Sequence, residues 1–563
     1  MSPLAKNLLQ LFTSLWARPA LTLKRANLLE MEVSGELVEY KPRMGMVERY
    51  LTRPPVRFSD LLFALKEAEQ DSRIKALLLK IGEHTLGWAR AQELREAIIS
   101  FRANGKKAFA YLEEASTLDY FLSSACDQII LPPSQTLDLL GLLDEVLYFK
   151  GTLDKLEIKP EFFQAGKYKS AVEPYTRESM SREHREALES ILESLYQELV
   201  GAISSARHLN PEQVKKLIDQ APFLAEEARE KGLVDQVLYL DQLEEMLEEL
   251  LAEPIRKISA ERYYQLRLLS RIGLEGFRKR AEIALVYGTG VIQSGGDGLG
   301  LEQWDQTLTC EQMLKTLRAI REDQKIKAVI FRIDSPGGSG LASDLLWREL
   351  RLIRENKPLI VSMADVAASG GYYLAMEGEP ILAQPTTLTG SIGVIAGKVN
   401  LRGLYQKVGM KKELVKRGAN ADLFSDYSSL QGSKLGKLKR ELDYFYQKFV
   451  EKVSQARRMK KSEVEKGAQG RVWTGRQAKE LGLVDEFGGL CRAIELAKAK
   501  IGLSPGERVN ISIYPRVRKR FFPALRIKIP FLNLGKEWQW IKILEKLSKE
   551  RVLYLMPFNF RIR

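Results

Sequence analysis

Arg73-Ile-Lys-Ala-Leu-Leu-Leu-Lys-Ile81 returns 252 residues later as Lys325-Ile-Lys-Ala-Val-Ile-Phe-Arg-Ile333. The same offset sets Tyr120-Phe-Leu on Tyr372-Tyr-Leu, Pro133 on Pro385 and Gly166 on Gly418. A chain of 563 residues is too long for one ordinary core, and a repeat of this length implies two similar domains. The second copy lies among other short β-rich runs. Ile283-Ala-Leu-Val-Tyr287, Ala328 to Ile333 and Leu359-Ile-Val-Ser-Met363 read as buried strands, with a helix from Leu341 to Glu355 between the last two. Strands alternating with helices in this way build parallel sheets, so the expected fold class is α/β, two tandem domains with parallel-sheet cores and flanking helices. Apolar stripes at helical spacing, Leu188, Ile191, Leu192, Leu195 and Leu199, then Leu442, Phe445, Phe449 and Val453, read as core-facing helices in corresponding places. The expected layout is an amphipathic segment at 1–28, a first repeat domain at 29–253, a connector at 254–280, a second repeat domain at 281–502 and a tail at 503–563.

Composition narrows the function. With 45% apolar and 28% charged residues the chain is globular. Its three cysteines, Cys126, Cys310 and Cys491, lie far apart without CxxC spacing, which excludes a disulfide framework and a zinc site and predicts three buried thiols. No metal and no cofactor is expected. The net charge of +14 is concentrated at the end: Arg516 to Arg563 carries thirteen Lys or Arg against three Asp or Glu. Phe521, Phe522, Phe531, Trp538, Trp540, Tyr554, Phe558 and Phe560 are interleaved with these cations. Leu, Ile and Pro fill the remaining positions, so the tail reads as a segment for an anionic membrane surface, the alternative being an amphipathic terminus packed on its own domain or on a neighbouring subunit. Nucleic acid, which would use the same cations with stacking aromatics, is not the expected partner. Near the start, Leu4, Leu8, Leu11, Phe12 and Leu15 share one helical face, opposite Lys6, Asn7, Gln10 and Ser14. That run falls short of the ~20 apolar residues a bilayer span needs, which predicts an interfacial or docking helix and a peripheral or weakly anchored membrane protein.

The repeat is chemically unequal. In the second half Ala367-Ala-Ser369-Gly-Gly-Tyr372 surrounds one hydroxyl with small residues, and Asp334-Ser-Pro-Gly-Gly-Ser339 is a tight turn between a strand and a helix. Such turns present backbone N–H groups, and together they can offer the two donors of an oxyanion hole. A serine also needs a base. The three histidines, His84, His184 and His208, all lie in the first half. At the repeat offset Ser369 falls on Thr117, while Lys169, in Gly166-Lys-Tyr-Lys-Ser-Ala-Val-Glu-Pro174, falls on Ala421. An ordinary lysine, with a pKa near ~10.4, is neutral in under ~0.1% of molecules at pH 7; lowering it to about 8 needs roughly 3 kcal/mol, which an apolar pocket can supply. Tyr168, Ala171, Val172 and Pro174 make the surroundings of Lys169 less polar than those of most lysines here.

Tyr168-Lys-Ser-Ala-Val-Glu-Pro174, followed by Ala367-Ala-Ser-Gly-Gly-Tyr372 and Leu388-Thr-Gly-Ser-Ile-Gly393, resembles the long, tandem-domain form of the signal peptide peptidase A (protease IV) family over about residues 30 to 500. The resemblance implies a Clp-protease/crotonase-like fold in each half and a Ser/Lys dyad, with Ser369 as nucleophile, Lys169 as general base and Ser391 positioning the lysine. It implies oxyanion donors at Gly370 and at Gly338 or Gly337, Gly338 being favoured. It further implies a serine endopeptidase that degrades apolar peptides, such as cleaved signal peptides, through an acyl-enzyme in a homo-oligomeric, tetramer-like ring. A transmembrane anchor, usual at the start of this form, is not expected here, and the basic aromatic tail is not part of the family pattern. Two other readings share the fold: a crotonase-like enzyme acting on acyl-CoA thioesters, and a noncatalytic membrane-associated scaffold.

Overall fold

A computed structural model of the chain describes residues 25–41, 55–275, 281–295, 307–504, 506–516 and 552–556. The expected helix at Leu4–Leu15 and seven of the eight tail aromatics lie outside these residues. Two compact units are formed, one from residues 1–142 and 196–280, the other from 143–195 and 281–562.

The first unit is built on a parallel sheet with strands in the order Gln236–Val237, Gln128–Leu131, Lys107–Leu112, Ala76–His84, Leu28–Gly35 and Lys257–Ser259. The main sheet of the second unit runs Val472–Thr474, Leu388–Gly390, Leu359–Ala368, Ile326–Ser335, Glu282–Thr289 and Asn510–Tyr514, with Ile381–Ala383 and Glu486–Phe487 branching from the third. Its pairs are parallel except Leu388–Gly390 with Val472–Thr474. The two repeat copies are thus central strands of two sheets.

Continuous apolar runs are what a strand covered on both faces requires. Val329, Ile330, Phe331 and Ile333 are fully buried, and each such side chain contributes about 1.5–3 kcal/mol relative to exposure. Arg332, in the same run, is also buried and donates to Ser362 Oγ (2.9 Å) and to the Met363 carbonyl (3.1 Å), so its charge is not left unsolvated. The helix Gly340–Asn356 covers one face. Ser339 caps its start by accepting from the Ala342 N–H, and Lys357 ends it in extended conformation before Pro358.

A second sheet in this unit runs Thr307–Thr309, Val291–Gln293, Gly337–Ser339, Leu553–Leu555, Val394–Asn400 and Lys159–Ala165. It revises the expected layout at three points. The first repeat domain was expected to hold all of 29–253, Lys169 included, yet 143–195 is grouped with the second unit. The reason is backbone pairing: Lys159–Ala165 forms a seven-residue antiparallel ladder with Val394–Asn400, which satisfies its N–H and C=O groups there. Residues 254–280 are not a bare connector either. Lys257–Ser259 pairs with Leu28–Glu30, and the helix Ala260–Glu275 packs on Phe58–Glu69, where buried Tyr263 donates to Asp71 at 2.9 Å. The tail at 503–563, finally, contributes strands to both sheets of the second unit. Tyr554, expected among surface aromatics, is only 2% exposed because its ring lies against Tyr373 and Phe449. Of the three thiols expected to be buried, Cys126 and Cys310 are, whereas Cys491 is partly exposed.

Candidate active site

Ser369 joins the strand Leu359–Ala368 to the helix Gly370–Ala375. Its backbone is in the left-handed region, φ 56° and ψ −112°, which is costly for a residue with a Cβ. Two bonds hold it: the Ser369 N–H donates to Gly390 at 2.8 Å, and its carbonyl accepts from Tyr373 at 2.8 Å. The next residue must be glycine. A Cβ on Gly370 would stand 2.7 Å from Ser343 Oγ, 3.1 Å from Gly337 Cα and 3.2 Å from the Gly338 nitrogen. The Gly370 amide region and the Ser335–Ser339 turn are therefore in direct contact. In that turn the Gly337 N–H donates to Ser335 Oγ at 3.2 Å, and the Gly338 nitrogen lies beside Gly370. Sequence reading took Gly337–Ser339 as turn only; it is a short strand in the second sheet.

Lys169 follows the strand Lys159–Ala165 and begins the short 3-10 turn Ser170–Val172. The Lys169 N–H donates to Gly166 at 3.1 Å and the Tyr168 N–H to Gln469 at 2.8 Å, which aims the side chain inward. Its Nζ is 2.7 Å from Ser369 Oγ, 2.8 Å from Ser391 Oγ and 2.8 Å from the Ser391 carbonyl oxygen. All three residues are 0% exposed. Burial pushes the Lys169 amine well below the usual lysine range. None of its hydrogen-bond partners is a carboxylate that would hold it charged.

Three oxygens, Ser369 Oγ, Ser391 Oγ and the Ser391 carbonyl, surround the amine. Ser391 O–H donates to the Gly470 carbonyl at 3.3 Å, so Ser391 Oγ and the Ser391 carbonyl are free to accept the two amine N–H groups. An amine that has given its two N–H groups to Ser391 keeps a lone pair for the Ser369 hydroxyl, whose Oγ is 2.7 Å from Nζ. Ser391 is itself held at φ 51° by its N–H bond to Arg471, 2.7 Å long.

Sequence reading missed the segment that supports both residues. Gly470, at φ 77°, leaves room for Lys169: a Cβ there would lie 2.6 Å from Lys169 Cβ and 2.7 Å from its nitrogen. Nothing in the sequence distance between 169 and 470 announces this contact. Arg471 beside it donates to Glu186 at 2.7 Å and lies over the rings of Tyr168 and Trp473, while Tyr168 also donates to Glu186 at 3.0 Å. Gly470→Ala is expected to displace Lys169 by a large fraction of an ångström and to lower kcat about 100-fold in a folded chain, checked by steady-state kinetics beside a melting curve.

The second unit does contain a histidine, because 143–195 belongs to it. His184 is buried near Glu173 (3.3 Å) and Tyr148 (3.4 Å), and no hydrogen bond joins it to Ser369. In the first unit the position matching Ser369 is Thr117, whose hydroxyl donates to the Asp138 carbonyl at 3.3 Å. The nearby His84 is 2.8 Å from Asp119.

A serine on a strained strand-to-helix turn with a buried amine against it is an arrangement that serine peptidases can use. The chain is a member of peptidase family S49, whose model matches residues 100–253 and again 351–504. It is 34% identical to the chloroplastic serine protease SPPA of Arabidopsis thaliana, over 89% of this chain and 73% of that protein. It is 33% identical to protease 4 of Haemophilus influenzae, over 89% and 85%, and 32% identical to protease 4 of Salmonella typhi, over 84% and 78%. Among solved structures a ClpP1 mutant from Listeria monocytogenes aligns with 38% of this chain and 95% of its own, at 14% identity and a TM-score of 0.24.

Proposed function

We propose that this serine peptidase cleaves apolar peptides, such as signal-peptide remnants, with Ser369 as nucleophile and Lys169 as general base. The observation that carries the reading is the 2.7 Å contact between a buried, carboxylate-free amine and a serine hydroxyl held in left-handed backbone. In the first step Lys169 Nζ takes the Ser369 proton as Oγ bonds to the scissile carbonyl carbon. Charge developing on the carbonyl oxygen is met by the Gly370 and Gly338 amides. The ammonium then gives its proton to the departing amine nitrogen as the C–N bond breaks, leaving an ester on Ser369. Water, deprotonated by the same amine, releases the acid and restores Ser369. Ser391, by accepting two N–H groups, keeps the third position of Nζ, lone pair or proton, aimed at Oγ. The test is labelling with a fluorophosphonate at neutral pH: a single adduct mapped by mass spectrometry to Ser369, absent after Lys169→Met, supports the dyad, and equal labelling of that variant refutes it.

The basic, aromatic composition of 516–551 supports an anionic membrane surface as the place where substrate is met. Among the described residues no helix is long and apolar enough to cross a membrane. Flotation with anionic vesicles is expected for the full chain and lost when the Lys and Arg of 516–551 are replaced by Gln; persistence of flotation would assign the contact elsewhere. The homo-oligomeric ring implied by the family resemblance belongs to the same proposal, and light scattering would then report a multiple of the 64.0 kDa chain.

A further inference from the structure

The second sheet has an unusual member. Leu553–Leu555 lies between Gly337–Ser339 and Val394–Asn400, antiparallel to both. Leu553 pairs with Ser339, Tyr554 with Gly338 and Leu555 with Gly337, while Ile395 faces Leu553 from the other side. The Gly340 N–H donates to Val552 at 3.0 Å and the Met556 N–H to Pro336 at 2.8 Å. Without this strand, two edges with unpaired backbone groups would face each other across about 9.5 Å, two strand spacings. That gap accepts one extended peptide.

The seated segment is also in catalytic register. A Cβ on Gly337 would stand 1.9 Å from the Tyr554 carbonyl oxygen and 2.7 Å from the Gly370 nitrogen, so that carbonyl borders the same atom-sized space as the amide beside Ser369. The Tyr554 ring stacks on Tyr373 at 5.1 Å and meets Phe449 at 5.1 Å, and the Tyr373 hydroxyl donates to Asp344 at 2.7 Å. This is an aromatic slot with a polar end, matched to a phenol. Leu553 and Leu555 point the other way, into a second apolar cluster with Phe162, Val172 and Ile395. With the strand in place Ser369 is 0% exposed.

We propose that the chain's own segment 552–556 is the resident ligand of the peptide groove and holds the enzyme self-inhibited, and that substrates enter as a similar strand with an aromatic residue in the Tyr373–Phe449 slot. The inference rests on the peptidase reading above. The segment blocks instead of being consumed, because Met556 is held to Pro336: an amine released at Leu555 stays beside the ester and re-forms the bond.

The experiment uses the full chain with Tyr554→Ser and, as the conservative control, Tyr554→Phe. If the strand occupies the groove about nine-tenths of the time, its release raises kcat/KM on an apolar fluorogenic peptide about tenfold. Tyr554→Phe keeps the ring in the slot but gives up its polar end, so its activity is expected to lie between those of the wild type and Tyr554→Ser. Unchanged or lower activity in a Tyr554→Ser chain that melts normally would overturn the proposal, as would an intact mass lacking residues 555–563 in the wild type. Should Tyr554→Ser not fold, Leu553→Asp ejects the strand from its other face and is read the same way. A second arm needs no chemistry. In the Ser369→Ala background, labelled Val-Leu-Tyr-Leu-Met is expected to bind about tenfold more tightly when Tyr554→Ser is added, and equal binding would reject the resident strand. If Tyr554→Ser activity survives Ser369→Ala while the peptide still binds, the nucleophile assignment fails and the groove assignment stands.

Discussion

Ser369→Ala is expected to lower kcat on an apolar peptide by about 10⁴-fold or more, with the chain still folded. The magnitude follows from what is lost. No acyl-enzyme can form without Oγ, and the remaining amide donors and groove give only the residual rate enhancement that positioning and charge stabilisation supply. Stability should change little, since the side chain removed is small and its backbone strain is held by bonds to Gly390 and Tyr373 that alanine retains. Single-turnover kinetics with an ester substrate provides the sharpest check: the wild type shows a burst, the variant none. A burst in the variant would place the nucleophile elsewhere.

Lys169→Met is expected to cost about 10³-fold or more in kcat, because the hydroxyl of Ser369 then has no acceptor for its proton. The pH dependence carries the more specific information. The amine acts only when neutral, so kcat/KM should fall as pH drops through its folded pKa, and burial places that limb well below the usual lysine range. The same shift enters stability with a definite sign. An unfolded lysine holds its proton up to about pH 10.4, whereas the buried one gives it up at lower pH, so the unfolded state binds more protons in between. Wild-type stability relative to Lys169→Met should therefore decline as pH falls from about 10.4 to the folded pKa, and level off below it. Denaturant titrations of both chains across that window test this; a difference independent of pH would mean that Lys169 is not buried as a neutral amine.

How far these residues were legible in the sequence differs case by case. The strands at Ile283, Ala328 and Leu359 and the helix from Leu341 follow from local pattern, because burial on both faces demands uninterrupted apolar runs and a covering helix demands a stripe. The repeat offset showed only that Ser369 and Lys169 lack counterparts, Thr117 and Ala421 standing in their places; that the two act together was implied by the family resemblance. Gly470 and Arg471 were not visible. Their importance lies in a close approach to residues 300 positions away, and no periodicity encodes such a distance. The same holds for Leu553–Leu555, read with the tail as surface-seeking: its composition is that of a membrane segment, and an apolar groove satisfies the same side chains equally well.

By itself the sequence determined that there are two α/β repeats and where three central strands of the second sheet lie, and it set Ser369 and Lys169 at unmatched places in the two copies. These are properties of local pattern and of self-similarity. Only the tertiary structure decided that 143–195 is assembled with the serine's unit, that Lys169 is buried with serine oxygens as its hydrogen-bond partners, and that a strand from the tail lies beside Gly337–Ser339. Each of these depends on which backbone edges pair and which side chains lose solvent, and both are settled by distant segments meeting, not by neighbours along the chain.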